Sequence, residues 1–68
     1  MKVAVELFPQ RRESVVELPP RSDGYSLMKA LGLAPDVHIV LRGGTPIPID
    51  EQLHDGDSVR VIAVVSGG

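Results

Sequence analysis

The residues best placed to do chemistry stand at the end of the chain, in Val65-Ser66-Gly67-Gly68. With Gly68 as the terminus, the reactive group is a main-chain carboxylate. A carboxylate is a poor electrophile, so it must first become an acyl adenylate or a thioester if it is to pass an acyl group or acquire sulfur. That step brings the group to the phosphate of ATP inside a partner's cleft. Two residues without Cβ let the partner's backbone approach closely and accept unusual dihedrals on the way in. At ordinary glycine usage of about 7%, a terminal Gly-Gly arises by chance in about one chain in 200. The chain has no cysteine, so no thiol of its own carries a thioester or a persulfide.

The other candidates are weaker. His38 alternates with apolar positions and His54 precedes a turn. Without thiolates beside them, both are expected as ordinary surface or hydrogen-bonded histidines, with no metal site. Asp50, Glu51, Asp55 and Asp57 lack the alternating ligand pattern and closing glutamate of a calcium loop, and are expected to form turns. They could also help dock a basic surface on a partner. Leu41-Arg42-Gly43-Gly44 carries no free carboxylate and lies between two strand candidates, so it reads as a turn. No spacing suggests a nucleophile and base, and no intrinsic catalysis is expected.

The elements that must present the tail emerge from periodicity. Val3, Val5 and Leu7 alternate with Lys2, Ala4 and Glu6, which predicts a half-buried strand over residues 2–8. Pro9 stops it, and Val16 and Leu18 resume one apolar face over 13–18, giving an opening hairpin ended by Pro19-Pro20. Ser22 or Asp23 caps a helix over about 24–31, in which Leu27, Met28 and Leu31 share a face. Gly32 closes it and Pro35 forbids continuation. A third strand carries Val37 to Arg42, ended by Gly43-Gly44. A fourth short run around Ile47 is confined to a sheet edge by Pro46 and Pro48. Asp50 to Leu53 reads as a short turn of helix and Asp55-Gly56-Asp57 as a tight turn. The last strand, 58–65, is apolar at nearly every position, as a central strand would be. The first and last strands then lie parallel and adjacent, with the helix across one face. The predicted fold class is α+β, a β-grasp: a mixed sheet of four to five strands and one helix, with residues 1–66 as the domain and 67–68 as a flexible tail.

Composition agrees with this. Sixty-eight residues, 43% apolar and 24% charged, suit one small globular domain with little spare stability for a strained catalytic pocket. The longest apolar run, Val61 to Val65, is far short of the ~20 residues of a membrane span, and the N-terminus lacks a secretory pattern. A cytoplasmic monomer is expected, with no membrane partner. Net charge is −2, the basic residues are dispersed, and the aromatics are only Phe8 and Tyr25, so nucleic acid is not an expected direct partner.

With that element order, Leu53-His54-Asp55-Gly56-Asp57-Ser58-Val59 and the apolar strand ending Val65-Ser66-Gly67-Gly68 resemble the ThiS and MoaD sulfur carriers and the archaeal ubiquitin-like small modifiers. The resemblance spans the whole chain. It implies that Gly68, presented by Gly67, is activated by an adenylating, ubiquitin-activating-like enzyme that uses ATP, while the chain itself binds no cofactor. It further implies either conversion to a thiocarboxylate, with sulfur donor and acceptor enzymes as partners, or conjugation to target-protein lysines. A plain interaction domain is the third reading and leaves the Gly-Gly without a purpose. By analogy with ubiquitin, the outward sheet surface beside the tail is the partner-binding patch. The positions assigned to it are Val40 on the third strand, Ile62 and Arg60 on the last, and Phe8 near the hairpin tip. Val37, Ile39, Leu41, Val59 and Val61 are then expected to face the helix.

Overall fold

A computed structural model describes residues 1–64. The tail assigned to Gly67-Gly68, and the Val65 end of the expected last strand, lie outside the described residues. Five strands and one α-helix follow the predicted order: β1 (Lys2–Phe8), β2 (Arg12–Glu17), α1 (Gly24–Leu31), β3 (His38–Arg42), β4 (Thr45–Ile47) and β5 (Ser58–Ala63). They form one mixed sheet in the order β2-β1-β5-β3-β4. Its centre is the parallel pair of β1 and β5, with β2 and β3 antiparallel on either side. The proline-bearing β4 occupies one edge, where a missing N–H costs no ladder bond.

The helix is bounded by local chemistry. Asp23 Oδ1 accepts from the Ser26 N–H at 3.0 Å, and the Ser26 hydroxyl reaches back to the Asp23 N–H, closing a capping box. Ser22 takes no part in the cap, because its hydroxyl donates to the Pro19 carbonyl at 2.7 Å. At the other end Gly32 adopts φ +70°, its N–H bonds Lys29 O, and the Leu33 N–H bonds Met28 O. These two bonds satisfy the last carbonyls, and φ > 0 explains why glycine stands there. Leu27 and Met28 pass under the sheet into a core of Val3, Val5, Leu18, Val40, Leu53, Val59 and Val61. Half-buried Leu31 and Leu33 extend that contact, so the helix is held by packing that eight residues alone would not provide.

Three expectations are corrected. Val40 is 1% exposed, within the core, whereas Ile39 is 42% exposed and Val37 and Leu41 also lie outside the core. The β3 register is therefore shifted by one from the expected one, which turns every side chain over. Pairing fixes this, because Val40 stands opposite both Val61 and Ile47, and residues directly opposite share a face. Val37 belongs to a 3₁₀ turn over Pro35–Val37, not to the strand. Residues 50–53 form no helical turn. After a bend at Ile49-Asp50, Gln52 bridges Asp23 and the Leu53 N–H bonds Ser22 O at 2.9 Å, an extended course that delivers Leu53 to the core. β5 is central but alternates buried and exposed positions, because the face opposite the helix is uncovered.

Candidate functional site

The uncovered face is a lattice of side chains set by register. Nearest the tail, Phe8 of β1 pairs with Ile62 of β5, which pairs with Ile39 of β3, giving an apolar row across three strands. The next row is charged: Glu13, Glu6 and Arg60, followed by Leu41. Arg60 Nε lies 3.4 Å from Glu6 Oε1, and its guanidinium sits 5.5 Å above the Phe8 ring. An arginine face on an aromatic ring is electrostatically favourable, and here it lays the arginine stem along the apolar row. Phe8, Pro9, Arg60, Ile62 and Ala63 enclose an almost wholly apolar hollow of about 390 Å³. Beyond β5 the Val64 N–H bonds Val37 O at 2.9 Å, and the last strand residue, Ala63, lines this hollow, so β5 ends beside it.

Of the residues assigned to a partner-binding patch, the structure brings Phe8, Arg60 and Ile62 together on this face and removes Val40 from it. Ile39, Val40 and Leu41 are all apolar, and alternation favours the more apolar set for the core. Here that set is the outward one. The deciding signal is non-local: only the pairing of Ile39 with Ile62 reveals its direction.

Three of the four acidic candidates, Glu51, Asp55 and Asp57, are occupied at the opposite end of the sheet, and Asp50 makes no side-chain bond among the described residues. The Lys2 N–H donates to Asp55 Oδ1 at 2.7 Å and the Gly56 N–H to Lys2 O at 2.8 Å, tying the turn to β1. Asp57 Oδ2 accepts from the His54 N–H at 2.9 Å and from Arg42 at 3.2 Å, while Arg42 also meets Glu51 at 2.8 Å. His38 Nδ1 bonds the Ala34 carbonyl at 2.7 Å, and His54 is exposed. No cluster of three or more potential metal ligands forms among the described residues. Gly43 and Gly44, with φ of +60° and +77°, make the two-residue turn joining β3 to β4, so the internal Leu41-Arg42-Gly43-Gly44 is a hairpin connection.

The family model for small archaeal modifier protein 2 matches residues 1–65 of this chain. The chain belongs to that family. It is 33% identical to a protein of Archaeoglobus fulgidus, over all of this chain and 97% of the other. It is 28% identical to the sulfur carrier protein TtuB of Thermus thermophilus, with both chains covered completely. Among solved structures, SAMP1 from Haloferax volcanii superimposes with a TM-score of 0.75 at 22% identity, over the whole of both chains. The ubiquitin of Caldiarchaeum subterraneum gives 0.71 at 19% identity, over all of this chain and 98% of that one. The fold is thus the ubiquitin-like β-grasp, and sulfur carriers and protein modifiers are both among the chain's relatives. The family match ends at Val65, short of Gly67-Gly68, so the tail's role rests on its chemistry. No helix among the described residues is long and apolar enough to cross a membrane.

Proposed function

We propose that this chain is a sulfur carrier whose Gly68 carboxylate is activated by an ATP-dependent adenylating enzyme. A carboxylate oxygen attacks the α-phosphorus of ATP, pyrophosphate leaves, and an acyl adenylate forms. Sulfide then attacks the acyl carbon and AMP departs, leaving a thiocarboxylate that delivers sulfur to tRNA or to a cofactor precursor. All reacting groups except the carboxylate belong to partners. The chain acts as handle and carrier, not as an enzyme, and binds no cofactor itself. The Phe8, Ile62 and Ile39 row with Arg60 docks the activating enzyme, since an apolar patch with an arginine at the root of the tail orients the residues beyond it. The observation that carries the sulfur reading is the full-length similarity to a sulfur carrier, joined to a Gly-Gly end.

The second reading, conjugation of Gly68 to target lysines, is favoured by the modifier family to which the chain belongs. Both begin with the same adenylate and diverge in the nucleophile: sulfide in one, a lysine amine in the other. Intact-mass measurement of the chain recovered from its own cells separates them. A sulfur-for-oxygen gain localised to Gly68 supports the carrier, and isopeptide remnants ending in this tail on other proteins support the modifier. Neither product, in cells where the chain is abundant, would sink both.

A further inference from the structure

The lower half of the uncovered sheet face is a groove that shares Arg60 with the tail-side hollow and is otherwise not used by the proposed activation. Its floor is Ala4 and Ser58, adjacent on the paired central strands, and its walls are Val15 of β2 and Leu41 with the Gly43-Gly44 turn. At a strand spacing of about 4.8 Å these walls stand about 14 Å apart across four strands. The groove is shallow and open to solvent, with a volume of about 680 Å³ above the sheet, more than a single side chain fills. Val15 is 68% exposed, the most exposed large apolar residue among those described, although its neighbour Val16 packs against the core.

The charged row closes the groove on the tail side. Glu6 and Glu13 are direct cross-strand partners, an arrangement in which like charges repel. Arg60 relieves one of them: it pairs with Glu6 and sets its guanidinium over Phe8, while its side chain still lines the groove on the β5 side. Glu13 makes no ion pair among the described residues. The rim therefore has one carboxylate more than it has cations, placed beside an exposed valine. We infer that this groove is a second docking site. It takes a protein segment in which an aliphatic side chain lies next to a lysine or arginine, the aliphatic group seated against Val15 over Ala4 and the cation placed between Glu13 and Glu6, one side-chain row away on the same two strands. The inference rests on the sheet face alone, and stands or falls separately from the chemistry of Gly68.

The test is a heptapeptide display library panned on the full chain carrying Ile62→Glu, which disables the tail-side patch. The selected peptides are then titrated into the isotope-labelled parent. Selected sequences should share an aliphatic residue beside Lys or Arg, and amide shifts should centre on Ala4, Glu13, Val15, Leu41 and Ser58. Val15→Glu and Glu13→Arg should each weaken binding about tenfold, the size of a lost anchor or a reversed charge, with Glu13→Gln between them and the parent. Both positions are exposed, so circular dichroism of the variants should match the parent. The inference is overturned by an absence of enriched peptides, by an acidic consensus, or by shifts centred on Phe8 and Ile39. Sedimentation showing that a second copy of the chain fills the groove overturns it equally.

Discussion

One carboxylate, that of Asp57, joins the turn before β5 to β3, accepting from the His54 N–H and from Arg42 while 19% exposed. Asp57→Ala should cost about 1 kcal/mol in urea unfolding, because it removes the acceptor of the His54 N–H and one of the partners of the Arg42 guanidinium, which keeps Glu51 and the Gln52 carbonyl. Asp57→Asn keeps an acceptor for the His54 N–H and should cost less. On β5 and β3, neighbouring positions should behave oppositely. Val40→Ala removes two buried carbons opposite Val61 and should lose about 2 kcal/mol. Ile62→Glu faces outward and should unfold close to the parent, yet lower the rate of activation by the adenylating enzyme. If Ile62→Glu activates normally, the tail-side patch is not the docking surface. Phe8, Arg60 and Ile62 lie on the outward face expected of them, because β1 alternates and the charged Arg60 between Val59 and Val61 sets the phase of an otherwise apolar β5. Val40 does not, because three consecutive apolar residues carry no phase of their own and the partner strand supplies it.

Elements whose boundaries are set locally were readable closely, within a residue for β2, expected over 13–18 and found at Arg12–Glu17. The helix begins and ends where a capping box and a left-handed glycine place it, and β1 stops at Phe8 before Pro9. The stretch 50–53 failed for the opposite reason. Its acidic residues look like a helical turn, but its course is fixed by long-range bonds, Leu53 to Ser22 and Arg42 to the Gln52 carbonyl. The same packing yields a prediction at the start of α1. A Cβ on Gly24 would run into the main-chain oxygen of Ile49. Gly24→Ala should therefore destabilise by about 1 to 3 kcal/mol, although alanine is by about 1 kcal/mol the better helix former. Gly32→Ala meets open space but must hold φ +70°, and should cost about 1 to 2 kcal/mol for that reason alone. Thermal unfolding of the two variants checks both. A Gly24→Ala chain more stable than the parent would mean that Ile49 does not lie against the helix.

At the scale of the whole molecule, the sheet divides labour between its faces. One is closed by the helix over a single apolar core, and the other presents an apolar row at the root of the tail. A domain of this size has little stability to spare for a strained catalytic pocket, which suits the proposed division in which a partner supplies the chemistry and this chain a surface and an end group. The expectation for Gly67-Gly68 comes from the sequence, and on the sheet face it is Ile39, in place of Val40, that emerged only with the strand pairing. The most direct test measures ATP–pyrophosphate exchange by an adenylating enzyme active on the parent, alongside thermal unfolding, for chains lacking Gly68 or Gly67-Gly68. The core of the described domain ends with β5, so the unfolding temperature should stay near the parent's. Exchange should be lost, because removing one residue moves the carboxylate by about 3.3 Å, and a misplacement of about 1 Å already costs about a hundredfold in rate. Exchange that persists after deletion of Gly67-Gly68 would contradict the carrier account and leave a plain interaction domain in its place.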